Sequence, residues 1–157
     1  MGFNKTMIYT EYNLKNTTVD KIYNSIYKYK GEDVSKNTCT ENGFQTSNII
    51  KLFDKNLLKK ILPIKEISDG IFHIHYIKYY QGGLQKEHDH VKTEQYSFIV
   101  YLNNADDGCT VLKDPINKKI FPQKGKVIVF DAKILHYAEK SSGGKEVIVG
   151  AINEKIK

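Results

Sequence analysis

Two histidines one residue apart, His88 and His90, stand in "GGLQKEHDHVKTEQYSFIVYLNN" just ahead of an apolar run. On an extended strand, residues i and i+2 point to the same face, so both imidazoles can reach one ion. His136, which follows "KVIVFDAKIL", supplies a third and distant imidazole from another strand. Neutral imidazole binds iron, zinc, copper or nickel, so the pair alone does not select a metal. Three protein ligands on one side of an ion leave positions open for substrate and oxygen, as a catalytic metal needs. Asp89, between the pair, points to the opposite strand face and reads as a bystander.

His73 and His75 form a second pair inside "IFHIHYIKYY". They also share a strand face, but no third ligand can be named for them. They read as core or cross-strand polar residues, one of them able to hydrogen-bond a ligand of the metal site from outside.

Strands must position these groups. From residue 71 onward, "IFHIHYIKYY", "YSFIVYL", "CTVLKD", "KKIFP", "KVIVFDA" and "EVIVGAI" are short and rich in β-branched and aromatic residues. Gly, Asn, Asp and Pro separate them. Many short strands with turn signals at roughly even spacing indicate a sandwich, barrel or jelly roll. Ahead of them, "MIYTEYN" reads as a first strand and "NTTVDKIYNSIYKYKG" as an amphipathic helix. Thr17 or Thr18 is its expected cap, Val19, Ile22, Tyr23, Ile26 and Tyr27 its apolar face, and Gly31 its end. In "DKNLLKKILPIKEISDG", Asp54 is the expected cap, Leu57, Leu58 and Ile61 share a face, and Pro63 limits or kinks the helix. The expected architecture is mostly β (α+β): one domain over residues 1–157, with a helical brace at 1–70 and the β core at 71–157.

The net charge of +6 comes from 24 lysines and no arginine. Arginine makes the bidentate base and phosphate contacts that lysine cannot reproduce, and these lysines are scattered, so no specific nucleic-acid binding is expected. No apolar run approaches a membrane span, and "MGFNKTMIYTEYN" lacks the apolar core of a signal peptide. Cys39 and Cys109 are far apart without CxxC spacing, which suits free thiols in a reducing, cytoplasmic setting.

In order along the chain stand "YYQGG", "HDH", "YLNN", "DGCTVL", "FPQKGKVIVFDAKILH" and "GGKEVIVGAI". Over residues 76–151 this succession resembles the double-stranded β-helix (jelly-roll) core of Fe(II)- and 2-oxoglutarate-dependent oxygenases, particularly the prolyl-4-hydroxylase-like branch. The resemblance implies Fe(II) held by His88, His90 and His136, with His90 where the family's carboxylate ligand normally sits. It implies that Lys145, nine residues after His136, pairs with the far carboxylate of the cosubstrate 2-oxoglutarate, and that Tyr101 hydrogen-bonds the same carboxylate. Tyr79 would line the site. A buried carboxylate needs a cation and a donor, and without arginine a lysine must be the cation. The implied activity is hydroxylation of a small-molecule or peptide substrate. Two departures stand out: His-x-His replaces His-x-Asp, and Val147 occupies the place of a usual Ser or Thr.

Other readings remain. "GLQKEHDHVKTE" also resembles the first cupin motif, which would make Glu94 a fourth ligand, but the second cupin motif is absent because His136 lies eleven residues beyond Gly125. A three-histidine dioxygenase that does not use 2-oxoglutarate is a further alternative. So is an inactive binding module that kept the β-helix and lost the chemistry.

Overall fold

The structure, a computed structural model, describes residues 9–154. Its strands are β1 (Tyr9–Asn13), β2 (Thr40–Gln45), β3 (Ile71–His88), β4 (Tyr96–Tyr101), β5 (Thr110–Leu112), β6 (Lys118–Ile120), β7 (Lys126–Asp131), β8 (His136–Ala138) and β9 (Glu146–Ile152). Three helices, α1 (Asn16–Ile26), α2 (Lys55–Ile61) and α3 (Lys65–Ser68), lie ahead of β3.

All pairings given for the strands are antiparallel, and the path runs β1-β7-β4-β9-β3-β8-β5-β6, with β2 added alongside β3. The long strand β3 belongs to both halves of this curl. Its first part pairs with β9 (Ile71↔Ile152 to Lys78↔Glu146), and its last part pairs with β8 (His88↔His136). Between them Gly82 takes φ +78°, a backbone conformation that costs glycine little, and lets the strand swing from one sheet to the other. This is a double-stranded β-helix, or jelly roll, with β1, β7, β4, β9 and the start of β3 facing β8, β5, β6 and the end of β3.

Strand alternation divides the interior into two apolar clusters. Outward residues of the larger sheet, among them Ile74, Phe98, Val100, Val127 and Ile148, pack with Val19, Ile22, Leu57 and Ile61 from the helices. Inward residues such as Ile77, Ile99, Leu112, Ile128 and Val147 fill the barrel, and Tyr79 and Tyr101 lie among them. The helices therefore brace the sheet from outside, and the barrel interior is left for the site.

Several boundaries differ from the sequence reading. Met7 and Ile8 of the expected first strand lie outside the described residues. Helix α1 starts at Asn16 with Lys15 at its cap position and no side-chain cap, since a lysine side chain carries no acceptor, and the preceding Leu14 N–H is anchored to the Gly125 carbonyl (2.7 Å). Thr17 and Thr18 fall inside the first turn, and the helix ends at Ile26, well before Gly31. Tyr27 is 72% exposed and stacks on Tyr23 instead of joining the apolar face. Asp54 caps α2 through Leu57 N–H (2.8 Å), and Pro63 separates α2 from α3. The brace region also contains β2, whose "TENGFQ" carries no apolar alternation; pairing with β3 makes it a strand.

No helix among the described residues is long and apolar enough to cross a membrane.

Candidate metal and cosubstrate site

His88 ends β3 and His136 begins β8, and the two are directly opposed in the antiparallel ladder. Opposed residues share a sheet face, which brings their ring centroids to 4.2 Å. His90 arrives differently. The strand has ended, so alternation does not aim its ring; its N–H donates to the Ala132 carbonyl (2.8 Å), and its own carbonyl accepts Thr93 N–H (3.0 Å) and Glu94 N–H (3.2 Å). That turn carries the ring to 4.7 Å from His88 and 5.2 Å from His136. One ring nitrogen of each lies within 4.8 Å of the other two. The expectation that strand spacing alone would align His88 and His90 is thus corrected: the convergence is made by a ladder pair and a turn. Asp89 is outside the cluster and exposed, its carboxylate turned back to Val91 N–H (3.3 Å).

The donor set fits a divalent metal. The Nδ1 atoms of His88 and His136 face the backbone carbonyls of Lys86 (2.6 Å) and Ile134 (2.9 Å), which leaves Nε2 of each ring as the free lone pair. His90 Nε2 is buried without a hydrogen-bond partner, a costly arrangement unless something accepts its lone pair. Burial depresses all three imidazoles, His90 to about 4 and His136 to about 3, with repulsion from neighbouring rings a smaller cause for those two. They are therefore neutral at pH 7, the form that ligates. The edge of Phe130 packs on His136 with centroids at 4.9 Å.

Glu94, the fourth ligand of the cupin-type alternative, is outside the cluster of converging nitrogens. Its Oε1 lies 3.8 Å from His90 Nδ1, on the side of the ring away from the orphaned Nε2. His73 and His75 hydrogen-bond each other (3.2 Å) and stand apart from the triad. Together with Phe72, His90, Glu94 and Val149, they line a cleft of about 300 Å³ beside His90.

Deeper in the barrel lies a second polar group. Lys145 is 2% exposed, its Nζ donating to the Gly108 carbonyl (2.6 Å) and sitting 4.5 Å above the Tyr79 ring. No carboxylate among the described residues pairs with it, and burial lowers its ammonium to about 8. Gly108 must be glycine: its φ is +73°, and a Cβ there would stand 3.1 Å from Lys145 Cδ. Tyr101 is fully buried, and its hydroxyl donates to Thr110 Oγ1 (2.5 Å). Thr110 and Leu112 stand opposite Ala138 and His136 in the β5–β8 ladder. One two-residue step, about 7 Å, therefore separates the His136 row from the Thr110 row that holds Tyr101. Val147 is buried in the same interior.

All six singled-out residues line one barrel, with the histidines at its mouth and Lys145, Tyr101 and Tyr79 inside. What the sequence did not reveal are the neutral partners, the Gly108 carbonyl and Thr110, because the register of β5 depends on pairings distant in the chain.

No protein-family model matches the chain, and no curated protein does. Solved structures do match its shape. The viral collagen prolyl hydroxylase of Paramecium Bursaria Chlorella virus-1, in its 2OG complex, has a TM-score of 0.60 at 20% identity, over 96% of this chain and 98% of that one. A prolyl hydroxylase of Trichoplax adhaerens, in complex with a peptide of the hypoxia inducible factor oxygen degradation domain, gives 0.64 at 12%, over 92% and 83%. HygX of Streptomyces hygroscopicus, with nickel and 2-oxoglutarate bound, gives 0.71 at 9%, over 96% and 84%. In fold, then, this chain is similar over nearly its whole length to prolyl hydroxylases and other 2-oxoglutarate-binding proteins, and three imidazoles converge at the mouth of its barrel.

Proposed function

We propose that the protein is a non-haem Fe(II)- and 2-oxoglutarate-dependent dioxygenase that hydroxylates a small-molecule or peptide substrate. The observation that carries this reading is the pairing, inside one barrel, of a neutral histidine triad with a buried lysine that lacks a carboxylate partner. His88, His90 and His136 would hold the metal. When bound, Fe(II) together with 2-oxoglutarate and dioxygen supplies the oxidising chemistry that yields succinate and a hydroxylated product.

The chain's own share is binding and shielding. The Lys145 ammonium exchanges a neutral carbonyl for the far carboxylate of 2-oxoglutarate, a charge-assisted contact in a dry interior. Tyr101 turns its hydroxyl from Thr110 to the same carboxylate, and the Tyr79 ring keeps the ammonium centred through its face. The apolar lining from Ile77, Leu112, Ile128 and Val147 keeps water from the reacting end. The cleft beside His90 offers the substrate an approach to the metal. The peptide bound by the Trichoplax adhaerens prolyl hydroxylase supports a peptide as one candidate. We take residues 1–157 to act as one domain in the cytoplasm, which the free thiols of Cys39 and Cys109 support.

Anaerobic addition of Fe(II) and then 2-oxoglutarate tests the proposal. A visible metal-to-ligand charge-transfer band, and succinate released on admitting oxygen, are expected. Iron binding without a band, together with no effect of Lys145→Ala, would instead favour a three-histidine protein that does not use 2-oxoglutarate.

A further inference from the structure

A divalent ion held by three neutral imidazoles keeps its full charge, whereas a His-x-Asp pair would offset part of it. Near this triad stands one buried carboxylate. The Glu94 side chain is 7% exposed, and its two oxygens accept from separate hydroxyls, Oε1 from Thr93 (3.0 Å) and Oε2 from Ser97 (2.6 Å). Ser97 is fixed in the fully buried β4, and the 90–94 turn, closed by Glu94 N–H on the His90 carbonyl, places the carboxylate beside the His90 ring. Although the chain has 24 lysines, none among the described residues pairs with Glu94. The neutral His90 ring faces it, with Nδ1 at 3.8 Å from Oε1. The corresponding Nδ1 atoms of His88 and His136 face neutral backbone carbonyls instead.

We propose that Glu94 is a positioning residue that holds His90 through Nδ1 and returns to the site, from outside the ligand sphere, the negative charge that the His-x-His pair lacks. The proposal rests on the metal-binding reading above. A carboxylate behind a ligating imidazole sets its tautomer and orientation and raises its basicity. Closing 3.8 Å to a hydrogen bond of about 2.9 Å takes less than about 1 Å of side-chain movement. Glu94 thus stands behind the ligand, and neither binds the ion directly nor serves only to cap the turn.

The test is a cycle of anaerobic Co(II) and Fe(II) titrations on the full chain, using the native protein, Glu94→Gln, His90→Asp and the double variant. Glu94→Gln should weaken metal affinity by about 10- to 100-fold in the native background. In the His90→Asp background, where the ligand set already carries a carboxylate, the same change should cost little or should improve binding. The Co(II) visible spectrum of Glu94→Gln should keep the native band pattern. An equal penalty in both backgrounds, or none in the native one, overturns the proposal and reduces Glu94 to a turn residue. A changed coordination spectrum overturns it in favour of a direct ligand. Should Glu94→Gln fail to fold, Glu94→Asp keeps the charge but withdraws it by one methylene; unchanged affinity there also overturns the proposal, and a several-fold loss supports it. Absence of any metal binding by the native protein instead removes the metal reading itself, which separates the two failures.

Discussion

The two polar ends of the barrel are built in opposite ways. At the lysine end each donor has found a neutral partner: Lys145 rests on the Gly108 carbonyl and Tyr101 on Thr110. At the histidine end, two rings are pinned from behind by carbonyls, and the third leaves a buried nitrogen with no partner. The lysine end has a hydrogen-bond acceptor but no countercharge, whereas the histidine end leaves a buried lone pair unmatched. Burying an unmatched group costs free energy, so each end is held at some expense of stability. The difference teaches that imidazole lone pairs can be oriented in advance by carbonyls behind the rings, whereas a buried ammonium can be held by a neutral acceptor without a countercharge.

The largest effect should come from breaking the histidine end. His136→Ala removes the ligand opposed to His88, and Fe(II) affinity should fall by more than about 100-fold, beyond what loss of an outer partner causes. Equilibrium dialysis under anaerobic conditions measures it, and 2-oxoglutarate-dependent turnover should vanish with it. An affinity within tenfold of native would show that the triad is not the metal site.

Lys145→Met addresses the other end alone. 2-oxoglutarate affinity should fall about 10- to 100-fold with Fe(II) affinity unchanged, as expected for one lost charge-assisted contact. Melting temperature should hold or rise, because an unpaired buried charge is replaced by an apolar chain of similar length. In the native protein, 2-oxoglutarate binding should weaken as pH rises through about 8, where Lys145 loses its charge. The unfolded lysine keeps its proton to 10.5, so stability should rise with pH between those values.

Acid separates the ends from the opposite side of neutrality. Unfolded histidines protonate near 6.5, but burial delays His90 to about 4 and His136 to about 3. Below 6.5 the unfolded state therefore binds more protons, and the metal-free protein should lose stability progressively as pH falls toward about 3. Urea midpoints against pH would show this, and a saturating divalent metal should raise the midpoints without flattening the slope above about pH 4, because the native imidazoles carry no proton there for it to displace.

The smallest effect lies far from both ends. Asp54→Ala deletes the cap on α2 and should cost about 1 kcal/mol in chemical denaturation with no change in metal or 2-oxoglutarate affinity. A loss of either affinity would mean that the helical brace couples to the barrel mouth more tightly than its packing on the outer sheet face suggests.

What sequence determined about this protein is local or periodic. The β-branched and aromatic runs "YSFIVYL", "KVIVFDA" and "EVIVGAI" placed β4, β7 and β9 to within a residue, because each buries most of both faces and has little choice of structure. Asp54 and Pro63 bounded α2 because capping and the missing N–H act within one turn. The ordered motifs around His88, His136 and Lys145 pointed to a jelly roll. Only the tertiary structure decided the rest. It made a strand of "TENGFQ" by giving it β3 as a neighbour, and left Tyr27 in solvent by ending α1 a turn early. It brought His90 to the triad through the Ala132 carbonyl instead of strand alternation, and put Glu94 outside the converging nitrogens, with its Oε1 3.8 Å from His90 Nδ1. Those outcomes depend on ladder register and on turns closed by groups tens of residues away, and such pairings gain their energy only once the whole sheet has formed.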